Sequence, residues 1–270
     1  MAEAIIAGLL AKNLVKSDQI VASHPREERR EELQRKYGIR LFEYNRDAVI
    51  AAASEKENQA SASIVILTVK PQRLNLILGQ LRDVVRPEHL VISIVAGARI
   101  ETIGESLQHR AIVRAMPNTP AQIGEGMTVW TATPEVPAAQ QAQIHVLFAA
   151  LGHEMHVEEE RMIDMATALS ATGPTYTFLV MEALIDAGVH LGFSRHVAEE
   201  LVLQTMLGSV LFGRKSRKHP AELRNMVTSP GGTSAEAIYQ MEKGGLRTVL
   251  SKAVWAAYQR ATALGKKGKE

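Results

Sequence analysis

The sequence predicts an α/β region built on an open, doubly wound sheet, followed by an all-helical region. Three observations predict it. Two short uncharged runs rich in β-branched residues, Ile64–Val69 (IVILTV) and Leu90–Val95 (LVISIV), have the composition of strands buried on both faces of a parallel sheet. Strand-like and helix-like segments alternate over roughly the first 150 residues. From Glu158 onward helical segments follow one another, broken only by turn chemistry.

Taken in order, residues 2–13 place Ala4, Ile5, Ile6, Leu9 and Leu10 at helical spacing. A strand at Gln19–Ser23 follows, then a charged helix, Arg26–Tyr37, stopped by Gly38. Ile39–Phe42 reads as a strand, Asn45–Ala53 as a helix, and the polar Ser54–Ser63 as a loop. A helix at Gln72–Val85 separates the two apolar strands. Ala111–Met116 is a further strand, Thr128–Thr131 an antiparallel addition, Ala138–Leu151 a helix and Glu154–Val157 the last strand. Helices then fit Glu160–Ala171, Pro174–Leu191, Arg195–Phe212, Ala221–Val227, Ser234–Lys243 and Leu246–Leu264. The division falls at 1–157 and 158–270. Leu201–Gly213 (LVLQTMLGSVLFG) is apolar around much of its circumference, which in so small a helical region favours burial against a second copy.

Composition narrows the function. The 270 residues are 46% hydrophobic and 22% charged, which excludes disordered, collagen-like and coiled-coil chains. The absence of cysteine excludes disulfides, thiolate metal sites and a cysteine nucleophile. With 31 Lys plus Arg against 29 Asp plus Glu, nothing points to nucleic acid. No run reaches the ~18 apolar residues of a membrane span, and the N-terminus carries Glu3 where a secretion signal places positive charge, so the expected location is cytoplasmic.

Several segments carry chemistry, each beside a plainer reading. Ser229-Pro230-Gly231-Gly232-Thr233-Ser234 opens a helix. Its glycines admit close backbone approach, and its N–H groups and hydroxyls suit an anion such as a carboxylate; it also reads as a capped helix after a tight turn. Lys70, in Val69-Lys70-Pro71, follows a strand end, where open α/β sheets bind ligands and a cofactor phosphate could lie; it also reads as a solvated lysine before a helix. Asn118, in the stiff Met116–Pro120 loop, offers a carboxamide to a ring or amide, or belongs to a rigid turn. His153 and His156 lack the i, i+4 helical spacing of a zinc site and fall on opposite faces of a strand, so no metal site is expected. The basic run Arg214–His219 suits a helix C-terminus.

In sequence order, LTVKPQ (67–72), SIVAGARI (93–100), RAMPNTPA (114–121), ALSATGPTY (168–176), EALIDAGVHLG (182–192), QTMLGS (204–209), VTSPGGTSAEAI (227–238) and KGGLR (243–247) resemble the pyrroline-5-carboxylate reductase family along the whole chain. The resemblance implies a Rossmann-like dinucleotide domain followed by an all-helical dimerisation domain. It also implies hydride transfer from NADPH or NADH to the C=N bond of 1-pyrroline-5-carboxylate, giving L-proline, and homodimers, which in the family often assemble further into decamers. Carried over residue by residue, it sets Gly231, Gly232, Thr233, Ser234 and Glu160 around the substrate. No His or carboxylate stands out in the sequence as proton donor, and Ser234 or water is the candidate. It sets Val69, Lys70, Pro71, Ala96 and Asn118 near the nicotinamide half, and Ser23, His24, Pro25 and Asn45 near the adenosine half. By its position after Ser23-His24-Pro25, Arg26 reads equally as a partner for a 2′-phosphate and as a solvated first-turn residue, and NADPH is favoured over NADH.

The sequence departs from the family at its start. Members begin with a strand and a Gly-x-Gly turn, whereas Met1 aligns with the end of that turn, so the first strand and the pyrophosphate-cradling backbone are expected to be missing. A start placed too far downstream and a degenerate member without activity are the two readings. The intact later motifs favour the first. Ala171-Thr172 stands where Gly-Ser is usual, Asn225 where Asp is common, and Ser234 where Thr is usual.

Overall fold

The computed structural model describes residues 1–54 and 63–266. The polar loop expected at Ser54–Ser63 falls almost wholly outside the described residues. The chain divides into two units, Met1–Gly173 with Ala257–Glu270, and Pro174–Ala256.

The first unit has helices on both faces of a twisted sheet. Strands β3 (Ile64–Leu67), β4 (Leu90–Ser93), β5 (Ile112–Met116), β6 (Gly126–Ala132) and β7 (Gly152–His156) lie in that order. All neighbours run parallel except β5 and β6, which are antiparallel. β1 (Val21–Ser23) and β2 (Arg40–Phe42) form a separate parallel pair, and no ladder joins β1 to β3 among the described residues. β4 and β5 are buried throughout, β4 as its uncharged composition requires and β5 with one charged residue, Arg114, among its apolar ones. On one face Val91 and Ile112 pack with Leu78 and Leu81 of α4 (Leu74–Leu81) and Ile103 and Leu107 of α5 (Ile100–Leu107). On the other, Leu90, Ile92, Val113 and Trp130 pack with Ile5 of α1 (Ala2–Ala11) and Ile144 and Phe148 of α6 (Ala138–Ala149).

α2 (Glu27–Tyr37) ends at Gly38, whose φ of 65° is the left-handed conformation a helix stop uses. α1 is fastened to α2 by Glu3, which accepts hydrogen bonds from Arg29, from Lys36 at 2.9 Å and from Tyr37 at 2.8 Å. α3 (Asn45–Ser54) follows β2.

Local boundaries differ from the sequence reading in several places: the strand expected from Gln19 begins at Val21 after a 3-10 turn, Ser17–Gln19, and the helix expected to reach Val85 ends at Leu81. The helix expected from Gln72 begins as a 3-10 turn, Pro71–Arg73, with Pro71 at its first position, where no N–H is needed. α5, not expected, is two turns long with Ile103 and Leu107 inward, too short for periodicity to stand out. The helix expected at Glu160–Ala171 is α7 (Arg161–Ala166) followed by a π turn, Thr167–Ala171.

The second unit is helical. It holds most of α8 (Gly173–His190), α9 (Arg195–Ser216), α10 (Pro220–Met226), α11 (Thr233–Lys243) and the first part of α12 (Leu246–Lys266). Ser194 caps α9 by accepting from the Val197 N–H, and the His219 ring caps α10 by accepting from the Ala221 N–H at 3.2 Å. α8 and α9 cross closely at Gly188, where a Cβ would stand 2.9 Å from the Ala198 methyl. Ala198 is buried, yet Leu179, Leu207, Val210 and Trp255 stay more than half exposed. Among the described residues no helix is long and apolar enough to cross a membrane.

Candidate active site

Parallel strands deliver their carboxyl ends to one edge of a sheet, where α/β folds bind ligands. At the end of β1, Ser23 Oγ donates to Asn45 Oδ1 at 2.8 Å, and Asn45 Nδ2 donates to Gln80 Oε1 at 3.1 Å. Two residues 22 apart in sequence, both assigned to the adenosine half, thus form one polar pair. His24 donates its backbone N–H to Phe42 O at 2.9 Å, and its Nδ1 accepts from the Arg26 N–H at 3.2 Å. Pro25 is exposed. Beside the pair lies a shallow depression of ≈ 290 Å³ lined by Tyr44, Arg46, Asp47, Gly79 and Gln80. A hydrogen bond to the Glu43 carboxylate raises the Tyr44 phenol above its ordinary pKa.

Beyond the end of β3, Val69 packs on the core while Lys70 and Pro71 are exposed. Beyond β4, Ala96 packs against the cluster of Met116, Val129, Val157 and Ile163. The next residue, Gly97, has φ +74°, and a Cβ there would stand 2.7 Å from Leu264 Cβ. The end of α12 therefore rests on the β4–α5 loop, an approach that only glycine permits. Beyond β5, Asn118 Oδ1 accepts from the Met127 N–H at 2.8 Å, and Nδ2 donates to the Ser170 carbonyl at 3.3 Å. The carboxamide thus ties the loop to the π turn, a role that spacing did not reveal.

Glu160 is anchored within the first unit. Its Oε1 accepts from the Ile100 N–H at the start of α5 at 2.8 Å and from Arg114 Nη1 at 2.9 Å. Arg114 Nη2 donates to Asp164 Oδ1 at 2.5 Å. Arg114 is 1% exposed, so the two carboxylates compensate a guanidinium taken out of water. Sequence reasoning missed Arg114 and Asp164. The available signal was a lone arginine in the otherwise apolar strand AIVRAM, which a buried position obliges to find a partner.

In the second unit, Gly231 has φ +70° and turns the chain into α11. The Gly232 N–H donates to Ser229 O at 3.1 Å, and a Cβ on Gly232 would meet Ser229 Oγ at 2.5 Å. Gly232 is the N-cap, and no side chain caps the helix. Thr233 and Ser234 bring hydroxyls into that first turn. An uncapped N-terminus with two hydroxyls and a close-approach glycine is chemically suited to a small carboxylate.

The donor set of the first unit suits a phosphorylated dinucleotide. A hydroxyl and a carboxamide stand at the end of β1 where a carboxylate would select an unphosphorylated ribose, and an exposed ammonium stands beyond β3. α1 also starts without a side-chain cap.

Comparison with known proteins follows both units. A family model described as pyrroline-5-carboxylate reductase dimerisation matches residues 160–264, and one described as NADP oxidoreductase, coenzyme F420-dependent, matches residues 1–97. The pyrroline-5-carboxylate reductase of Synechocystis sp. is 41% identical over 99% of this chain and 96% of its own. That of Pseudomonas aeruginosa is 39% identical over 98% and 93%. The crystal structure of Plasmodium falciparum pyrroline carboxylate reductase with NADP bound superposes with a TM-score of 0.86, at 29% identity, covering 97% of this chain and 94% of that one.

Proposed function

The chain belongs to the pyrroline-5-carboxylate reductase family, and from that premise we propose that it reduces 1-pyrroline-5-carboxylate to L-proline with NAD(P)H, the last step of proline biosynthesis. The observation that carries the proposal is the start of α11. Its uncapped N–H groups, the close-approach Gly232 and the hydroxyls of Thr233 and Ser234 form a receptor for a small carboxylate.

Ser23, His24, Pro25 and Asn45 would hold the adenosine half of the dinucleotide. Val69, Lys70, Pro71, Ala96 and Asn118 would frame the nicotinamide half, with Asn118 acting by fixing the loop it ties to Ser170. A dinucleotide held there would supply hydride for the C=N carbon and be released as NAD(P)+, while a proton would go to the nitrogen. Gly231, Gly232, Thr233 and Ser234 would orient the substrate through its carboxylate. Holding reactants aligned contributes up to about 7–11 kcal/mol in well-aligned cases. Ser234 Oγ would hand the proton to nitrogen, directly or through water. Glu160 would act near the substrate only through its bonds to Arg114 and the start of α5.

We divide the functions at residues 1–157 for the dinucleotide and 158–270 for dimerisation and substrate. The exposed apolar faces of α8, α9 and α12 suit a homodimer, and decamers and a cytoplasmic location follow from the family reading. Substrate-dependent oxidation of NADPH and NADH, followed at the nicotinamide absorbance, tests the proposal. Turnover that falls at least tenfold in Ser234→Ala supports it. Dimers that neither bind nor oxidise either nucleotide would make the chain a non-catalytic paralogue.

A further inference from the structure

The turn after β1 holds a cation where a helix start favours an anion. Helical side chains lean toward the N-terminus of their helix, and Arg30, one turn into α2, reaches back over that turn. Its Nη1 donates to the carbonyl oxygens of His24 at 2.9 Å and Pro25 at 3.1 Å. The helix dipole opposes a positive charge in that position. Among the described residues Arg30 makes no ion pair, and its Nε and Nη2 make no hydrogen bond. Arg26, the residue that sequence position suggested, is exposed, and its guanidinium makes no hydrogen bond among the described residues. Glu27 and Glu28 lie in the first turn of α2, and Glu43 and Asp47 lie around Tyr44, whose phenol also feels Arg30.

The carbonyls that fix Arg30 belong to the two residues directly after Ser23, the hydroxyl partner of Asn45. We infer that Arg30 is the residue that selects a 2′-phosphorylated dinucleotide. The backbone of His24 and Pro25 fixes its guanidinium to the turn that directly follows Ser23, with Nε and Nη2 left to donate to the phosphate. Neutral donors at that pair accept a ribose hydroxyl as well as a phosphate, whereas a fixed guanidinium favours the dianion. This rests on the dinucleotide reading above and adds to it the source of discrimination.

The test compares the full chain with Arg30→Gln and Arg30→Lys. Calorimetry measures binding of adenosine 2′,5′-bisphosphate and adenosine 5′-monophosphate, and steady-state rates give kcat/KM for NADPH and NADH. Loss of charged hydrogen bonds predicts that Arg30→Gln binds the bisphosphate about 10- to 100-fold more weakly. Monophosphate binding should stay within about twofold and the NADPH-to-NADH preference should fall in parallel. Arg30→Lys should recover part of the loss. Equal weakening of both nucleotides would mean that Arg30 only shapes the turn, and unchanged bisphosphate binding would overturn the inference outright. Failure of the unaltered chain to bind either nucleotide would overturn the dinucleotide reading itself, and this inference with it.

Discussion

The two units spend the same apolar chemistry differently. In the first, Leu78, Leu90, Val91, Ile92 and Val113 are wholly enclosed, with 0% exposure, by helices on both faces of one sheet. In the second, Ala198 is the one buried residue between Pro174 and Ala256, while along α9 Leu201, Leu207, Val210, Leu211 and Phe212 are each at least half exposed. Apolar surface on that scale is unfavourable in water and is covered in working proteins. The first unit carries its own core, whereas the second has to complete its core on another surface. The homodimer proposed above would meet that need, since a two-fold axis sets the same helix face of both copies against itself.

The largest expected effect breaks that comparison directly. Replacing Leu207 and Val210 together by aspartate puts two charges on the exposed face of α9. Sedimentation velocity should show a monomer, since buried interface anchors contribute about 2 kcal/mol or more each. Helical signal should also be lost at a lower temperature, with the first unit unaffected. A variant that remains dimeric, or a monomer with undiminished helical stability, would place the completing surface elsewhere.

Next in size is Arg114→Leu, confined to the first unit. It leaves the Asp164 and Glu160 carboxylates without the guanidinium between them. Removing one partner of a buried ion pair costs about 3–5 kcal/mol, which urea unfolding would read. The loss should not change with protein concentration. Concentration dependence would mean that the first unit also leans on a partner.

The fold was legible where the signal was local. LVISIV announced a fully buried parallel strand and IVILTV a parallel one, of which Leu67 is buried and Ile64, Val65 and Ile66 are half-buried, and Gly38 marked a helix end that its φ angle bears out. α5 and the π turn were not legible. The first is only two turns long, and a single inserted residue in a helix leaves the apolar spacing almost unchanged. At the candidate site, the residue types at the SPGG turn and the Ser23–Asn45 pair could be named from sequence. The network of Arg114 with Glu160 and Asp164 could not, because it joins positions 46 and 50 residues apart. Arg30 was passed over for Arg26 because sequence adjacency says nothing about a side chain that folds back past its own helix start.

The smallest effect sharpens the comparison through pH. Glu3 joins α1 to α2, and its carboxyl is lowered from the ordinary 4.5 to about 2, first by its bond to Lys36, then by those to Tyr37 and Arg29. A carboxyl with a lower pKa folded than unfolded adds stability that is fully present above about pH 4.5 and is lost as the pH falls toward 2. Glu3 is 30% exposed and Lys36 58%, so solvent screens the cluster and the contribution is about 1 kcal/mol. Glu3→Gln should therefore unfold more easily than the unaltered chain at pH 7, with the gap closing between pH 4.5 and 2. Added salt should narrow it as well, since the pairs are exposed. Both trends should be independent of protein concentration, because the cluster lies wholly in the unit that carries its own core. A gap that persisted at pH 2 would assign the loss to packing at Glu3, not to its charge.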